Sequence, residues 1–126
     1  MATTPIALIL AAYPNRASAA RSARALVRSG ALACATVATG ATAFYRWEGK
    51  HVEERSVLLW GKVAWRRAGK AVAALKAAHP DRVPEIVAIR VDKALPAYAA
   101  WVAGSGASSA SSASGAVTRQ VRGRTR

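Results

Sequence analysis

Residues 33–47 follow a two-residue period, which is the spacing of a β-strand and not of a helix. One alternating set is Ala33, Ala35, Val37, Ala41, Ala43, Tyr45 and Trp47, and the other is Cys34, Thr36, Ala38, Gly40, Thr42, Phe44 and Arg46. Gly40 inside so long a strand indicates a bulge or a bend. Glu48-Gly49 is a tight-turn pair, after which a return strand is predicted over about His51–Ala64. The sequence therefore predicts a long β-hairpin.

Five further elements are predicted on either side of this hairpin, from apolar runs and from helical spacing. They are strands over Pro5–Ala12 and Ile86–Val91, and helices over residues 16–29, 65–78 and 95–103. Asn15 is placed to cap the first helix, and Gly30 is placed to end it. The predicted order is β-α-β-β-α-β-α. Its first six elements are those of the ferredoxin-like split βαβ arrangement, an α+β fold in which an antiparallel sheet carries helices on one face.

The predicted sheet has a physical reason to associate with other copies of itself. Val57-Leu58-Leu59-Trp60 is apolar at consecutive positions, which indicates a central strand or a strand covered by another subunit. Helices on one face leave the other sheet face bare. Apolar residues make up 52% of the chain, but many of them are alanines, which fill little volume. Oligomerisation is therefore expected.

The net charge of +13 is divided between a folded region and a C-terminal tail. Residues 104–126 are rich in Gly, Ala and Ser, contain four arginines and no acids, and are predicted to be disordered. Residues 1–103 are then the domain. Residues 1–118 contain fifteen basic and six acidic residues, a net charge of +9. This charge favours non-specific contact with nucleic acid or another polyanion, but it does not by itself indicate a dedicated function.

Other classes of protein find little support in the sequence. The single cysteine, Cys34, excludes an intrachain disulfide and fits a reducing compartment. No apolar run approaches the roughly 18–20 residues of a membrane span, and the N-terminus does not resemble a secretory signal, so a cytoplasmic protein without a membrane partner is expected. No nucleophile motif is recognisable, and adjacent Glu53 and Glu54 would point to opposite faces of a strand. A binding protein, and not an enzyme, is expected.

Several motifs together resemble one known family. They are Leu32-Ala-Cys-Ala35, Phe44-Tyr-Arg-Trp-Glu-Gly-Lys50, Val57-Leu-Leu59 with Lys62, His79-Pro80 with Val83-Pro-Glu-Ile86, and Tyr98 with Trp101. In this order, over about residues 6–102, they resemble the CutA divalent-cation-tolerance family. The most specific part is the pairing of Tyr-Arg-Trp-x-Gly-Lys at a hairpin tip with His-Pro-x-x-x-Pro-Glu-Ile before the last main strand.

The resemblance implies a homotrimer similar in architecture to PII signalling proteins, in which the long hairpin packs against neighbouring subunits. The residues expected at the trimer interface are Tyr45, Trp47, Glu48, Glu53, Glu54 and Trp60. Their aromatic side chains would supply apolar contact area, and the glutamates would face arginines of a neighbouring, very basic subunit. An inter-subunit cleft is also implied, and its expected lining residues are Tyr45, Trp47, Lys62 and Glu85.

Copper or another divalent metal is the ligand that the resemblance implies, with Cys34 and His79 as candidate ligands. Each residue also has a structural interpretation, because a lone thiol is often a small buried residue and a histidine can end a helix. One cysteine and two histidines do not complete a metal site within one chain, although copies from different subunits could assemble one. Whether Cys34 and His79 share a site is left open by the sequence.

Three functions follow from these observations. The first is metal binding, tolerance or response by a trimeric module, the second is PII-like sensing of a small molecule in the inter-subunit cleft, and the third is a structural trimer whose basic surface contacts a polyanion.

The strongly basic charge departs from the family, whose members are often acidic. Gly61 departs as well, because a larger apolar residue is usual there, and Trp60 is expected to supply the missing bulk.

Overall fold

The computed structural model describes residues 4–105. Its elements are β1 (Ile6–Tyr13), α1 (Arg16–Ser29), β2 (Cys34–Trp47), β3 (Lys50–Ala64), α2 (Ala68–Ala78), β4 (Ile86–Val91) and α3 (Pro96–Gly104), with a 3-10 turn at Trp65–Arg67 before α2. The predicted order β-α-β-β-α-β-α is confirmed. Gly104, predicted to begin the tail, is instead the last residue of α3. Residues 106–126 lie outside the described part of the chain, so their disorder stays a prediction.

The ends of the first helix follow from local side chains. Asn15 Oδ1 accepts a hydrogen bond from the Ser18 N–H at 2.8 Å, which satisfies one free donor of the first turn. Gly30 has a φ of 83°, and its N–H donates to the Val27 carbonyl at 3.1 Å. The second helix begins three residues later than predicted, because Trp65–Arg67 forms a 3-10 turn with no side-chain cap.

The four strands form one antiparallel sheet in the order β2-β3-β1-β4. The predicted central position of Val57-Leu58-Leu59-Trp60 is confirmed, since β3 lies between β2 and β1. Leu10 of β1 illustrates the register, because it lies opposite Trp60 on one side and Val87 on the other. Opposed residues of antiparallel strands point to the same face of a sheet, so these three side chains form one row.

The main core lies between one sheet face and the helices α1 and α2. Ile9, Leu59 and Leu75 are fully buried there. Each such side chain favours folding by about 1.5–3 kcal/mol relative to its exposed state. Alanines at Ala19 and Ala71 complete the core where the helices meet the sheet. The many alanines are therefore compatible with a packed core.

Gly61 belongs to this core, and the expectation that Trp60 fills its missing bulk is wrong. A Cβ at Gly61 would lie 2.9 Å from both Cδ atoms of Leu32, whose side chain is almost fully buried. Trp60 points to the opposite sheet face, because neighbouring strand residues alternate. Leu32, in the loop before β2, occupies the volume that Gly61 leaves free.

The other sheet face is covered only in part. The helix α3 packs over one end, where Ile6, Ala33, Ala99 and Val102 form a second buried cluster. The uncovered remainder, here called the bare face, comprises Leu8, Leu10, Leu58, Trp60, Val87 and Ile89. Trp60 is 41% exposed, and Val87 and Ile89 are each 46% exposed. The face predicted to be entirely bare is thus shortened by α3.

A β-bulge interrupts the pairing of β2 with β3, as Gly40 predicted. Ala38 lies opposite Leu58 and Ala41 lies opposite Ser56, so β2 has two residues where β3 has one. Gly40 has a φ of 89°, a conformation that a glycine adopts without strain. The extra residue reverses the alternation, so Tyr45 and Trp47 share a face with Thr36 and not with Val37. The sequence alternation, which grouped both aromatics with Val37, is wrong on this point.

Beyond the bulge the hairpin continues as a two-stranded arm, defined here as residues 41–56. β1 ends opposite Val57, so the arm extends past the rest of the sheet by about 20 Å. Glu48 and Gly49 have φ values of 49° and 79°, as a type I′ turn requires at both central positions. Phe44 is 69% exposed and Trp47 is 49% exposed. Residues 44–51 of the arm are all exposed. An isolated two-stranded hairpin has little stability in water, so the arm is expected to need further contacts.

Candidate functional site

A cavity of about 660 Å³ lies where the base of the arm meets the segment 81–85. Its lining residues are Ala12, Tyr13, Pro14, Ala43, Tyr45, Trp47, Glu54, Arg55, Ser56 and residues 81–85. Of the four predicted cleft residues, Tyr45, Trp47 and Glu85 line this cavity. Lys62 does not, because it lies opposite Cys34 at the other end of the sheet. Three of the predicted residues therefore meet within one subunit.

Tyr45 forms a fixed wall of the cavity. Its hydroxyl donates a hydrogen bond to Glu54 Oε1 across the two strands of the arm. That hydrogen bond raises the pKa of Tyr45 above 10.0, because ionisation would remove the donated proton and leave a phenolate beside the Glu54 carboxylate. The hydrogen bond holds both side chains toward the side of the arm that continues the bare face.

The cavity combines both signs of charge with aromatic surface. Arg55 and Arg82 contribute cations, while Glu54, Asp81 and Glu85 contribute carboxylates. Tyr45 and Trp47 add ring surface against which a planar or cationic group can pack. The arrangement suits a small ligand with an apolar ring and a charged group more than it suits a bare ion.

His79 fixes the segment 81–85 that forms the far wall. It ends α2, is 8% exposed, and stacks on Tyr13 with ring centroids 4.1 Å apart. The Asp81 N–H donates to His79 Nδ1 at 3.0 Å, so Nδ1 carries no proton. His79 Nε2 then carries the proton and donates to the Ala12 carbonyl at 2.6 Å. Both ring nitrogens are engaged with backbone groups, which favours the structural interpretation of this residue.

Tyr13 is a site residue that the sequence did not single out. It is 2% exposed, and burial raises the pKa of its phenol, an effect that the nearby Ser22 hydroxyl partly offsets. The two hydroxyls approach each other, yet neither completes a hydrogen bond within the described residues. The sequence signal was only Tyr13-Pro14, a strand end before a helix, which does not reveal burial under His79.

Cys34 is partly buried and lies at the end of the sheet that α3 covers. Its Sγ is 3.5 Å from Tyr98 Oη. Cys34 lies in the same cross-strand row as Lys62 and Leu8 of β1. His79 instead donates to the carbonyl of Ala12, which is four residues after Leu8 along β1. Four residues of strand span about 13 Å, so Cys34 and His79 do not share a site within one subunit. Residues 4–105 also contain no group of three or more His, Cys, Asp or Glu residues placed to hold an ion.

The six residues predicted at a trimer interface occupy more than one surface. Tyr45, Trp47 and Glu54 lie on the side of the arm that continues the bare face, where Trp60 also lies. Glu53 lies opposite Phe44 on the other side of the arm, and Glu48 is at the tip. A single flat interface would therefore contact only part of the predicted set.

Known proteins share this sequence pattern and this fold. The model of the family CutA1 divalent ion tolerance protein matches residues 7–105. This chain belongs to the CutA1 divalent ion tolerance family. The match covers every strand and helix described above apart from Ile6, the first residue of β1, and the resemblance noted from the motifs is confirmed.

Individual CutA proteins agree with the family assignment. The divalent-cation tolerance protein CutA of Thermus thermophilus is 35% identical over 95 residues, which are 75% of this chain and 92% of the relative. The crystal structure of CutA from Xylella fastidiosa is 35% identical, with a TM-score of 0.74 over 77% of this chain and 93% of that one. The solved divalent cation tolerance protein Cut A1 from Thermus thermophilus is 33% identical, with a TM-score of 0.76, covering 80% and 98%. The ferredoxin-like CutA fold is thus shared along nearly the whole length of these relatives.

Within residues 4–105, no helix of this CutA1 family member has the length and apolar character needed to cross a membrane.

Proposed function

We propose that this CutA1 family member acts in divalent-cation tolerance as a cytoplasmic homotrimer, and that it is a binding module and not an enzyme. The observation that carries the trimer is the bare face, whose Trp60, Val87 and Ile89 are each more than two-fifths exposed. Soluble monomers rarely expose a contiguous apolar patch of this kind unless it contacts a partner. The arm continues the same face and adds Tyr45 and Trp47, so a second subunit would cover both features at once.

Sedimentation equilibrium tests the trimer directly. The chain has a mass of 13.1 kDa, so a homotrimer should sediment as a species of about 39 kDa. A concentration-independent mass near that of one chain would contradict the proposal. Burial of the arm in the assembly can be checked in the same samples by the fluorescence of Trp47, with Trp47→Phe as the reference that assigns its emission.

Metal contact, in this proposal, belongs to the assembly and not to a single subunit. Cys34 and His79 do not fit one ion together within a subunit, since about 13 Å along the strand direction separates the Cys34 row from the Ala12 carbonyl that His79 contacts, and His79 has no free lone pair. The Cys34 thiol is the soft ligand among the candidates, and thiolates select Cu(I) over harder divalent ions. A complete site therefore requires Cys34 from more than one copy, or a ligand other than His79.

A competition titration with Cu(I) separates these roles. Cys34→Ser should lower the Cu(I) stoichiometry or weaken its affinity at least tenfold, whereas His79→Gln should leave both unchanged. Equal binding by wild type and Cys34→Ser would show that Cys34 is structural and would overturn the metal assignment. Loss of Cu(I) binding in a correctly folded His79→Gln variant would instead show that His79 is a metal ligand.

A second candidate function is PII-like sensing of a small molecule. The observation in its favour is that Tyr45, Trp47 and Glu85, which the family resemblance implies at a cleft between subunits, line one cavity of about 660 Å³ within a subunit. That volume suits a small organic ligand. Thermal-shift measurements with nucleotides and aromatic carboxylic acids would detect it, because a ligand that binds only the folded state raises Tm. The shift should vanish in Arg82→Gln and persist in Lys93→Gln, and a panel without any shift would argue against a sensor.

A further inference from the structure

The positive charge of the folded region is concentrated in one layer. The helix layer, defined here as α1 together with residues 65–78, contains eight basic residues and no acidic residue. They are Arg16, Arg21, Arg24, Arg28, Arg66, Arg67, Lys70 and Lys76. The rest of residues 4–105 holds seven basic and all six acidic residues, so it is nearly neutral. The excess charge is therefore a property of one surface and not of the whole domain.

The helix layer presents these cations outward. Seven of the eight side chains are exposed, and Arg67 is half-buried. Ala19, Leu26 and Leu75 on the opposite sides of the two helices face the core. The helices α1 and α2 pack next to each other on the same sheet face, so the two sets of cations join into one surface. Assembly through the bare face would leave this surface on the outside of the oligomer.

The placement of several of these cations opposes the stability of the helices that hold them, although the helix dipole favours Arg28 and Lys76 in the last turns. Arg21, Arg24 and Arg28 are three and four residues apart, where like charges on a helix repel. Arg66 and Arg67 precede α2 and Arg16 begins α1, and the positive end of a helix dipole disfavours cations there. Neither helix carries an acidic residue in its first turn. The repulsion has no internal counter-charge on this surface, and a bound polyanion would supply one.

We propose that the helix layer is a docking surface for the phosphate backbone of a nucleic-acid duplex. Six of its eight cations are arginines, whose guanidinium groups can contact a phosphate through two parallel hydrogen bonds. The contacts are to phosphate alone, so binding is independent of base sequence. This inference concerns a different surface from the bare face, the arm and the cavity, and it does not depend on metal binding.

The side chains of the helix layer favour a duplex over two other polyanions. Single strands are usually held by exposed aromatic side chains on which bases stack, and the helix layer has no exposed aromatic side chain within the described residues. Peripheral membrane binding is favoured by large apolar side chains beside the cations. Val27, at 37% exposure, is the one large exposed apolar side chain of the layer. A hydrated phosphate backbone fits this surface better than a lipid interface does.

Fluorescence anisotropy with a labelled 30-base-pair DNA duplex tests the proposal on the full chain over a series of salt concentrations. The test variant is Arg24→Gln, Lys70→Gln and Lys76→Gln in the helix layer. The matched control is Arg46→Gln, Lys50→Gln and Lys93→Gln, which removes the same number of arginines and lysines elsewhere. The test variant should bind at least tenfold more weakly, and the slope of log K against log salt should fall by about 2 to 3, since each lost phosphate contact contributes ~0.9. The control should keep the wild-type slope.

Four outcomes would overturn the proposal. Equal losses in the two variants would show that binding follows net charge and not a surface. A full loss on replacing Arg119, Arg122, Arg124 and Arg126 with glutamine, with the helix-layer variant unaffected, would assign binding to the C-terminal tail. Tighter binding to phosphatidylserine vesicles than to the duplex would indicate a membrane partner, and tighter binding to a single strand would indicate another site. Circular dichroism melting of each variant is the control that checks whether the variant is folded.

Discussion

At the scale of single residues, close fits in the core are made by pairs far apart in the chain. Gly61 and Leu32 are one such pair, because the missing side chain of the glycine leaves room for both Cδ atoms of the leucine. Tyr13 and His79 are another, with stacked rings 4.1 Å apart. Neither pair can be predicted from local periodicity, because periodicity describes neighbours within one element and not contacts between elements.

Gly61→Ala should destabilise the protein by about 1–2 kcal/mol. The new Cβ would lie 2.9 Å from two atoms of Leu32, which has little free space around it at 1% exposure. Extra volume in a packed core forces such neighbours off their preferred rotamers. Urea unfolding of wild type and variant gives the change in the free energy of unfolding. In a Leu32→Ala background the same substitution should cost nothing or become favourable, and an equal cost in both backgrounds would show that Leu32 is not the cause.

The buried phenol of Tyr13 should make the protein lose stability at alkaline pH. Its folded pKa is raised above 10.0, so the neutral phenol is favoured by folding. Its contribution is therefore fully present below pH 10 and declines as the pH rises past 10 toward the folded pKa, because the unfolded chain ionises first. Tyr13→Phe should thus lose less unfolding free energy between pH 9 and pH 11 than wild type does. Identical losses in Tyr13→Phe and wild type would contradict the assignment.

At the scale of the elements, the bulge of β2 decides which side chains the arm presents. One extra residue between Ala38 and Ala41 turns Tyr45 and Trp47 toward the side of Trp60 and turns Phe44 away from it. The arm can then extend the apolar surface of the sheet beyond the end of β1. Without the bulge, Phe44 and Arg46 would occupy that side.

Trp47→Ala should make the proposed trimer dissociate more easily, with the half-dissociation concentration raised tenfold or more. Tryptophan is among the side chains that contribute most to protein interfaces, and Trp47 lies on the side of the arm that continues the bare face. Phe44→Ala is the matched control, since Phe44 is more exposed but lies on the other side of the arm. Dilution followed by mass photometry measures the trimer fraction. An undiminished trimer in Trp47→Ala, or equal losses in both variants, would argue against this role for the arm.

The elements were predictable from sequence because their signals are local. Asn15 and Gly30 set the ends of α1, and the turn at Glu48-Gly49 set the hairpin tip. Gly40 predicted the bulge but not its size, and a single inserted residue reverses every side chain that follows. Tyr45, Trp47 and Glu85 were expected at a cleft between subunits, and they line a cavity of one subunit, whereas Lys62 lies elsewhere. The other wall of this cavity was not predictable, since Asp81 and Arg82 lie in a loop whose position depends on a hydrogen bond from Asp81 to the histidine that ends α2.

At the scale of the whole molecule, the two sides of the sheet differ in chemistry. One side ends in the apolar bare face and the arm, and the other ends in the basic helix layer. The acidic residues all lie outside the helix layer, in the arm and in the segments on either side of β4. The acids therefore nearly balance the cations outside the helix layer, whereas the cations within the helix layer repel one another without any acidic residue of the layer to offset them.

This imbalance predicts that moderate salt stabilises the protein in the absence of any ligand. The Debye length falls from about 30 Å at 0.01 M to about 8 Å at 0.15 M ionic strength, so salt screens the cations of the helix layer from one another. Each like-charged pair three or four residues apart costs roughly 0.2–0.5 kcal/mol, and a total near 1 kcal/mol corresponds to a rise in Tm of about 4–8 °C for a domain of this size.

The test is a thermal melt at fixed protein concentration in 0.01 M and 0.15 M sodium chloride, because assembly also affects Tm. A variant with Arg21→Gln, Arg24→Gln and Arg28→Gln removes the closest repulsive set on α1. It should melt higher than wild type at low salt and respond less to added salt. A control with Arg46→Gln, Lys50→Gln and Lys93→Gln removes the same charge from the region where acids balance it. Because salt also screens the attractions that these cations make, the control should respond to added salt at least as strongly as wild type does. If salt lowers the Tm of the wild type, attraction between charges dominates the molecule, and the repulsion attributed to the helix layer is wrong.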